Sequence, residues 1–470
     1  MSHFDSSGPS RNERRLVGNE QPADGKFRNL SSALATGRRH WSEGLLRDST
    51  FMIGITVVTS LLGYGFWVAA ARTYPAVQIG SATAIIALMS LASTVAEVGL
   101  RFHVVQHLPH EEAEGRARAF ISSTVRIACT ASVIAAFLGL LLGSHFEPVL
   151  RPTFTDPVSA AVLVIGVIVG TIGAVLDSAL VALRRSNWSF YRNGIGSVVK
   201  LALIPLAVWV RAAVANSLVL VTVFALTLSV IVSAAVLERG TRSAIMTGET
   251  TGSLSTFRHS LKQHFIGLGG FVPMFLLPLE VVARLGAKDN AYFSLTWAVA
   301  AAAFMVSPAV ASALVVNVSR GASLMDQVVK ASVYSGCLLI IPMVGFGVFA
   351  PDILAIFGHA YATHGTLLMR TAIVSVIPDG ITNMKTGILR VQRRYLAASV
   401  LNGAMAVITI IAVWFLLPKA GIAACGIAWL LAQSAGTVWA IWDTLRRSEG
   451  ASSARRLWVM SGRRLNRHRH

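Results

Sequence analysis

The chain has 470 residues, 54% of them hydrophobic and only 13% charged, yet it carries a formal net charge of +19 and a mean hydropathy of +0.62. A soluble chain of this length is about a quarter charged, so the composition excludes a cytosolic enzyme and places the chain among polytopic membrane proteins. The basic excess does not signal nucleic-acid binding, because the apolar runs are far longer than buried soluble helices.

Residues 1–48 are polar and rich in Ser, Gly, Asn and Arg, with no apolar core of the signal-peptide kind, and predict a disordered cytosolic tail. From residue 49 onward the chain holds twelve segments of the length that crosses a ~30 Å hydrocarbon core as helix. They fall at 49–71, 80–100, 119–144, 158–183, 195–213, 214–237, 264–285, 291–316, 327–350, 365–386, 398–417 and 422–444. None shows the alternation of a β-barrel strand, so the fold class is all-α.

An even number of spans puts both termini on one side, and the basic residues say which. Thirty of the 41 Lys and Arg lie in the two tails and in alternate loops, which are therefore cytosolic. The outer loops hold six: Arg72, Arg151, Arg211, Arg284, Lys288 and Lys419. The expected location is the plasma (inner) membrane with both termini in the cytosol. The basic tail 445–470 reads as a topology anchor near anionic lipid headgroups, with Trp439, Trp442 and Trp458 in an interfacial belt. Cys129, Cys337 and Cys425 all sit in apolar segments, where no disulfide framework or metal cluster is implied. His103, His107 and His110 alternate with Glu111, Glu112 and Glu114 in what reads as a solvated loop rather than a metal site.

The exit of the first span, Ala71-Arg72-Thr73-Tyr74-Pro75-Ala76-Val77-Gln78-Ile79-Gly80-Ser81-Ala82, has a counterpart 212 residues on, at Ala283-Arg284-Leu285-Gly286-Ala287-Lys288-Asp289-Asn290-Ala291-Tyr292-Phe293-Ser294. Both copies have an Ala-Arg pair at the end of an apolar helix, a loop of about seven residues and a helix start of small residues. A weaker echo pairs Leu183-Arg184-Arg185 with Leu389-Arg390. The chain thus divides into two six-helix lobes in parallel repeat, 49–237 and 264–444, joined by a cytosolic loop over 238–263. Parallel repeats about an axis along the membrane normal are a transporter architecture, with the substrate path between them.

These two segments resemble the polysaccharide flippases of the multidrug/oligosaccharidyl-lipid/polysaccharide exporter superfamily, over roughly residues 48–444. The chain departs from the family's usual second-half pattern at Asn290-Ala291, where a Gly is common at the loop exit. The resemblance implies two lobes forming a V, alternating access, and transport of an undecaprenyl-type pyrophosphate-linked oligosaccharide from the inner to the outer leaflet. By motif it implicates Arg72 and Arg284 in substrate binding.

Charges inside the membrane cost ~2.5–3.5 kcal/mol each on insertion scales, so they face a cavity or a partner. Glu97, Lys330, Lys385 and Asp443 lie close to predicted cytosolic ends and read as snorkelling. Arg126, Asp177 and Lys200 lie about five to seven residues inward on three consecutive spans, one polar layer whose excess base suits a phosphate, or else a buried pair that locks packing. Arg370 and Asp379 share the tenth span, where Pro378-Asp379-Gly380 favours a local break. Glu280 and Arg284 stand at i, i+4 and read as a helix-surface ion pair. Pro205, Pro273, Pro278, Pro308 and Pro342 also interrupt spans.

Substrate-binding candidates are therefore Arg72, Arg126, Lys200, Arg284 and Arg370. Asp177, Glu280 and Asp379 are candidates for coupling to protons or sodium, with no other cofactor expected. No P-loop is present, so ATP is not the direct energy source. The expected partners are the lipid-linked oligosaccharide, membrane lipids, and a glycan polymerase or glycosyltransferases, with no nucleic acid. Three alternatives remain: a cation-coupled multidrug exporter, a membrane enzyme joining lipid-linked sugars, and a scaffold acting through its tails. The enzyme reading needs a larger outer domain than the outer loops 145–157 and 351–364 supply.

Overall fold

In hydrocarbon every backbone N–H and C=O must find its partner within the chain, and the apolar segments satisfy that demand as helices. A computed structural model describes residues 61–146, 155–206, 217–240 and 254–466, among which no strand occurs. Val58–His470 form one compact unit. The predicted tail 1–48 lies outside the described residues.

The first predicted span is described from residue 61, as helix α1 (61–73). The rest of the first half is α2 (Ala76–Ala96), α3 (Leu100–Ala113), α4 (Ala117–Phe146), α5 (Pro157–Ala182), α6 (Ser186–Ala202) and α7 (Ser217–Gly240). The second half is α8 (Leu254–Leu285), α9 (Ala287–Phe304), α10 (Val306–Ser319), α11 (Leu324–Val348), α12 (Ala350–Ala355), α13 (His359–Val374), α14 (Val376–Val391), α15 (Tyr395–Ala420) and α16 (Ala423–Asn466). Each predicted span has a helical counterpart, and nine stretches among the described residues are long and apolar enough to cross a membrane. The other three differ for local reasons. α1 is described only in part, the start of α6 is polar (Ser186 to Asn193), and the tenth span is broken in two at Ser375.

That break and its partner at Met305 have one cause. Proline lacks the N–H that would bond the carbonyl four residues back, and its ring crowds that carbonyl. Pro378 thereby frees Val374, and Pro308 frees Phe304, so α13–α14 and α9–α10 each turn immediately after the freed residue. Pro273, Pro278 and Pro342 are carried inside α8 and α11 without ending them.

Helix ends correct several predicted boundaries. The expected seven-residue loops at the two Ala-Arg exits are tighter: Tyr74-Pro75 separates α1 from α2, and Gly286 alone, at φ 91°, separates α8 from α9. The second echo is real but offset. Arg184 and Arg393 both take left-handed backbone (φ 55° and 56°), and the next residues bond back to Leu180 and Leu389 at 2.7 and 2.8 Å. These are matching αL helix stops, so the equivalent of Leu183-Arg184-Arg185 lies at Gln392-Arg393-Arg394. The histidines lie on α3 rather than in a loop, with the His103 and His107 rings 4.6 Å apart. Among the described residues no His, Cys, Asp and Glu group could hold a metal ion. The basic C-terminal segment continues α16 as far as Asn466.

The largest core cluster crosses the expected lobe boundary, joining Phe66, Ile79 and Ile85 of the first half to Leu277, Phe293, Trp297 and Met369 of the second. α2 packs on α8 and α9, at the end predicted to face outward. The approach is so close that a Cβ on Gly80 would overlap the Ala287 carbonyl.

Candidate functional site

The polar layer expected from Arg126, Asp177 and Lys200 does not form as the spacing predicts. α6 begins at Ser186, nine residues before the predicted start of its span. Lys200 is therefore fourteen residues into the helix, about 21 Å from its cytosol-facing start, while Asp177 is only about 8 Å from the cytosol-facing end of α5. The same shift brings Arg192, predicted to lie in a loop, to the depth of Asp177.

Arg192 takes the acid. Its Nη2 donates to Asp177 Oδ2 at 2.6 Å, Ser189 Oγ donates to Oδ1 at 2.6 Å, and Arg192 Nη1 donates to the Gly173 carbonyl at 3.3 Å. The Arg192 side chain is 8% exposed and that of Asp177 24%, so this is a largely buried ion pair locking α5 to α6. Sequence reasoning missed Arg192 because of the misplaced helix start. Its signal was the i, i+3 pair Ser189/Arg192, which puts two donors on one face of a helix.

With Asp177 neutralised, the other two bases have no acid partner among the described residues. Lys200 is partly buried, with Nζ 5.5 Å from the centre of the Phe66 ring, a cation–π contact rather than an ion pair. Arg126 is exposed on α4.

The second half has the reverse balance. Glu280 is buried on α8, with Oε2 lacking a protein partner. The expected ion pair with Arg284 is absent among the described residues, because Arg284 turns to α15, stacking 4.5 Å from the Trp414 ring centre and donating to the Trp414 carbonyl at 3.4 Å. Asp379, on the first turn of α14 after the break, is buried beside Ser307 and Asn383, and its Oδ2 has no protein partner. Arg370 is exposed and caps α11, with Nε donating to the Gly347 carbonyl at 3.2 Å. Lys385 does not snorkel: it is buried and bonded to Asp443 at 2.9 Å. Lys330 is exposed, and Glu97 is buried 3.7 Å from Arg101.

Arg72 joins the two halves at the predicted outer end. It caps the C-terminus of α12, with Nη2 2.8 Å from the Ile356 carbonyl and 3.3 Å from that of Ala355. Asn290, the departure from the family pattern, makes the second link: fully buried, it donates from Nδ2 to the Gly80 carbonyl at 2.7 Å and to Thr83 Oγ1 at 3.1 Å.

Nine described helical stretches that can cross a membrane, in two halves with matching turns, define a multi-pass membrane protein of transporter architecture. The profile described as Polysaccharide biosynthesis protein matches residues 45–315, more than half of the chain, and the chain belongs to that family. No curated protein matches it in sequence. Among solved structures, the fold is similar to the lipid II flippase MurJ in an inward closed conformation, with TM-score 0.64 and 12% identity over 84% of this chain and 87% of that one. An inward-facing multidrug resistance MATE family transporter of the MOP superfamily gives TM-score 0.61 and 13% identity over 83% and 94%. An outward-facing one gives 0.52 and 15% over 84% and 96%.

Proposed function

We propose that the protein translocates a polyprenyl-pyrophosphate-linked oligosaccharide from the inner to the outer leaflet of the plasma membrane by alternating access, for cell-surface polysaccharide synthesis. One observation carries this reading: Arg192 absorbs the acid of the first half, leaving Lys200 and Arg126 without a carboxylate partner among the described residues. An ammonium in a low-dielectric interior favours an anionic guest, which it binds through charge-assisted hydrogen bonds. Membership of a polysaccharide biosynthesis family supplies the sugar, and the flippase fold supplies the lipid carrier. Both termini then lie in the cytosol, and a glycan polymerase or glycosyltransferases act on either side of the step. Glu280 and Asp379 supply protonatable or cation-binding groups in the second half, on the helix bearing Pro273 and Pro278 and on the helix after the Ser375 break.

The test measures the leaflet location of the lipid-linked glycan in cells without another transporter for it. Depletion of the protein should hold the glycan inside. Lys200→Gln at unchanged membrane level should slow its outward appearance roughly 10- to 100-fold, the worth of one hydrogen bond from a charged group. Normal outward appearance on depletion sinks the reading. The buried acids Glu280 and Asp379 favour a second reading, a cation-coupled multidrug exporter. In that case Lys200→Gln leaves transport of cationic drugs intact, whereas Glu280→Gln and Asp379→Asn abolish it.

A further inference from the structure

Three helices of the second half, α11, α14 and α16, enclose a cavity of about 670 Å³, open on one side. Its walls are almost wholly apolar and include Val328, Leu339, Ile377, Ile381 and Ile441, with Lys385 at the end predicted to face the cytosol. Beyond Lys385 lies a charge cluster with one acid and three bases. Asp443 accepts from Lys385 Nζ at 2.9 Å, from Arg394 Nη1 and Nη2 at 2.9 and 3.0 Å, and from Arg447 Nε at 3.1 Å. Lys385 also donates to Thr444 Oγ1 at 2.7 Å, and the guanidinium of Arg446 lies 5.3 Å from the Trp442 ring centre. The Asp443 side chain is 9% exposed, whereas that of Arg394 is 23% and that of Arg447 57% exposed. One carboxylate cancels one cation, and the two-charge excess points outward.

We propose that this groove binds an anionic phospholipid of the bilayer, with an acyl chain between α11, α14 and α16 and its phosphate on Arg394 and Arg447. Charge complementarity selects the headgroup. A phosphate diester brings the negative charge the cluster lacks, at the depth where the predicted cytosolic leaflet is anionic. Position selects a bilayer lipid over the transported carrier. The first half meets the second through α2 and α3 against α8 and α9 and through α1 at the end of α12, while α11, α14 and α16 pack on helices of their own half. α11 is exposed on most of its circumference, as a helix facing lipid must be. On these packings the groove opens to the membrane, and no described helix of the first half lines it. The inference does not depend on which substrate is carried.

The full chain is placed in nanodiscs of phosphatidylcholine with or without phosphatidylglycerol, and retained lipid is counted by native mass spectrometry. The wild type should retain phosphatidylglycerol in preference. Arg394→Gln with Arg447→Gln removes the charge excess and leaves Asp443 its bond to Lys385, so the preference should fall about 30-fold, roughly 2 kcal/mol for two basic residues at about 1.4 kcal/mol per tenfold. Ser332→Trp fills the groove without touching the cluster and should abolish retention of either lipid there. A preference that survives Ser332→Trp overturns the proposal, and so does one that survives the double variant. Displacement of phosphatidylglycerol by inorganic phosphate alone overturns it in favour of a free-phosphate site, and preferential retention of polyprenyl phosphate in favour of the carrier.

Discussion

Arg192 and Asp177 show how one side chain sets the character of a whole interior. Taking one charge of a buried pair away strands the other, at a cost of about 3–5 kcal/mol, whereas replacing both by apolar groups of similar volume is often close to neutral. Arg192→Leu should therefore lower the thermal unfolding midpoint sharply, and Asp177→Leu with Arg192→Leu should recover most of the loss. Equal losses in the single and double variants would mean that the two residues do not compensate each other. Asp156 offers a titration outside the membrane. Hydrogen bonds from the Ser159 side chain and backbone hold its carboxyl below the ordinary 3.8 while it caps α5. A depressed folded value makes the capping contribution complete above 3.8 and lost as pH falls through the lower folded value. Asp156→Asn caps without titrating, so its unfolding midpoint should fall less than that of the wild type below pH 3.8.

At the scale of helices, the two proline breaks lie at corresponding distances from their prolines, three residues before Pro308 and three before Pro378. Restoring the missing N–H by Pro378→Ala would favour a continuous α13–α14 by up to about 3 kcal/mol. The expected outcome is a higher unfolding midpoint together with slower transport, because the buried Asp379 sits on the turn that the break positions. Wild-type transport in a straightened helix would separate the break from the cycle. The sequence announced these elements clearly where the apolar run was long, and hydropathy alone accounts for nine of the twelve spans among the described residues. α6 was the exception. Its first two turns, with Asn187, Ser189, Arg192 and Asn193, look like loop by composition, and their polar groups are tolerated only because Asp177, Gly173 and Ser233 meet Arg192 from neighbouring helices. Tertiary pairing of that kind leaves no trace in a hydropathy window, so the candidate layer was drawn one helix start too late.

Across the whole molecule, the two halves that the repeat predicts are joined at the predicted outer end by Gly80 against Ala287, Asn290 on Gly80 and Arg72 on α12. The motif that suggested Arg72 as a substrate ligand was legible as a repeat; its present use, capping a helix of the other half, was not, because capping depends on a partner 283 residues away. Gly80→Leu has no room for its side chain and should wedge α2 from α9. A cysteine at the buried Thr83, in a chain lacking Cys129, Cys337 and Cys425, should then react with an impermeant maleimide from outside, while the same cysteine beside Gly80 stays protected. Equal labelling of the two would show that this contact does not close the outer end.

The bond between Lys385 and Asp443 also bears on how the chain enters the membrane. The two charges belong to helices separated by α15, so α14 is synthesised before the helix that carries its counter-charge. Until α16 packs against it, the Lys385 ammonium lacks its carboxylate, which lies on a later span. A chain that stops short of α16 keeps an uncompensated charge in its second half. The node that fastens α14 to α16 therefore closes only once both helices are in place.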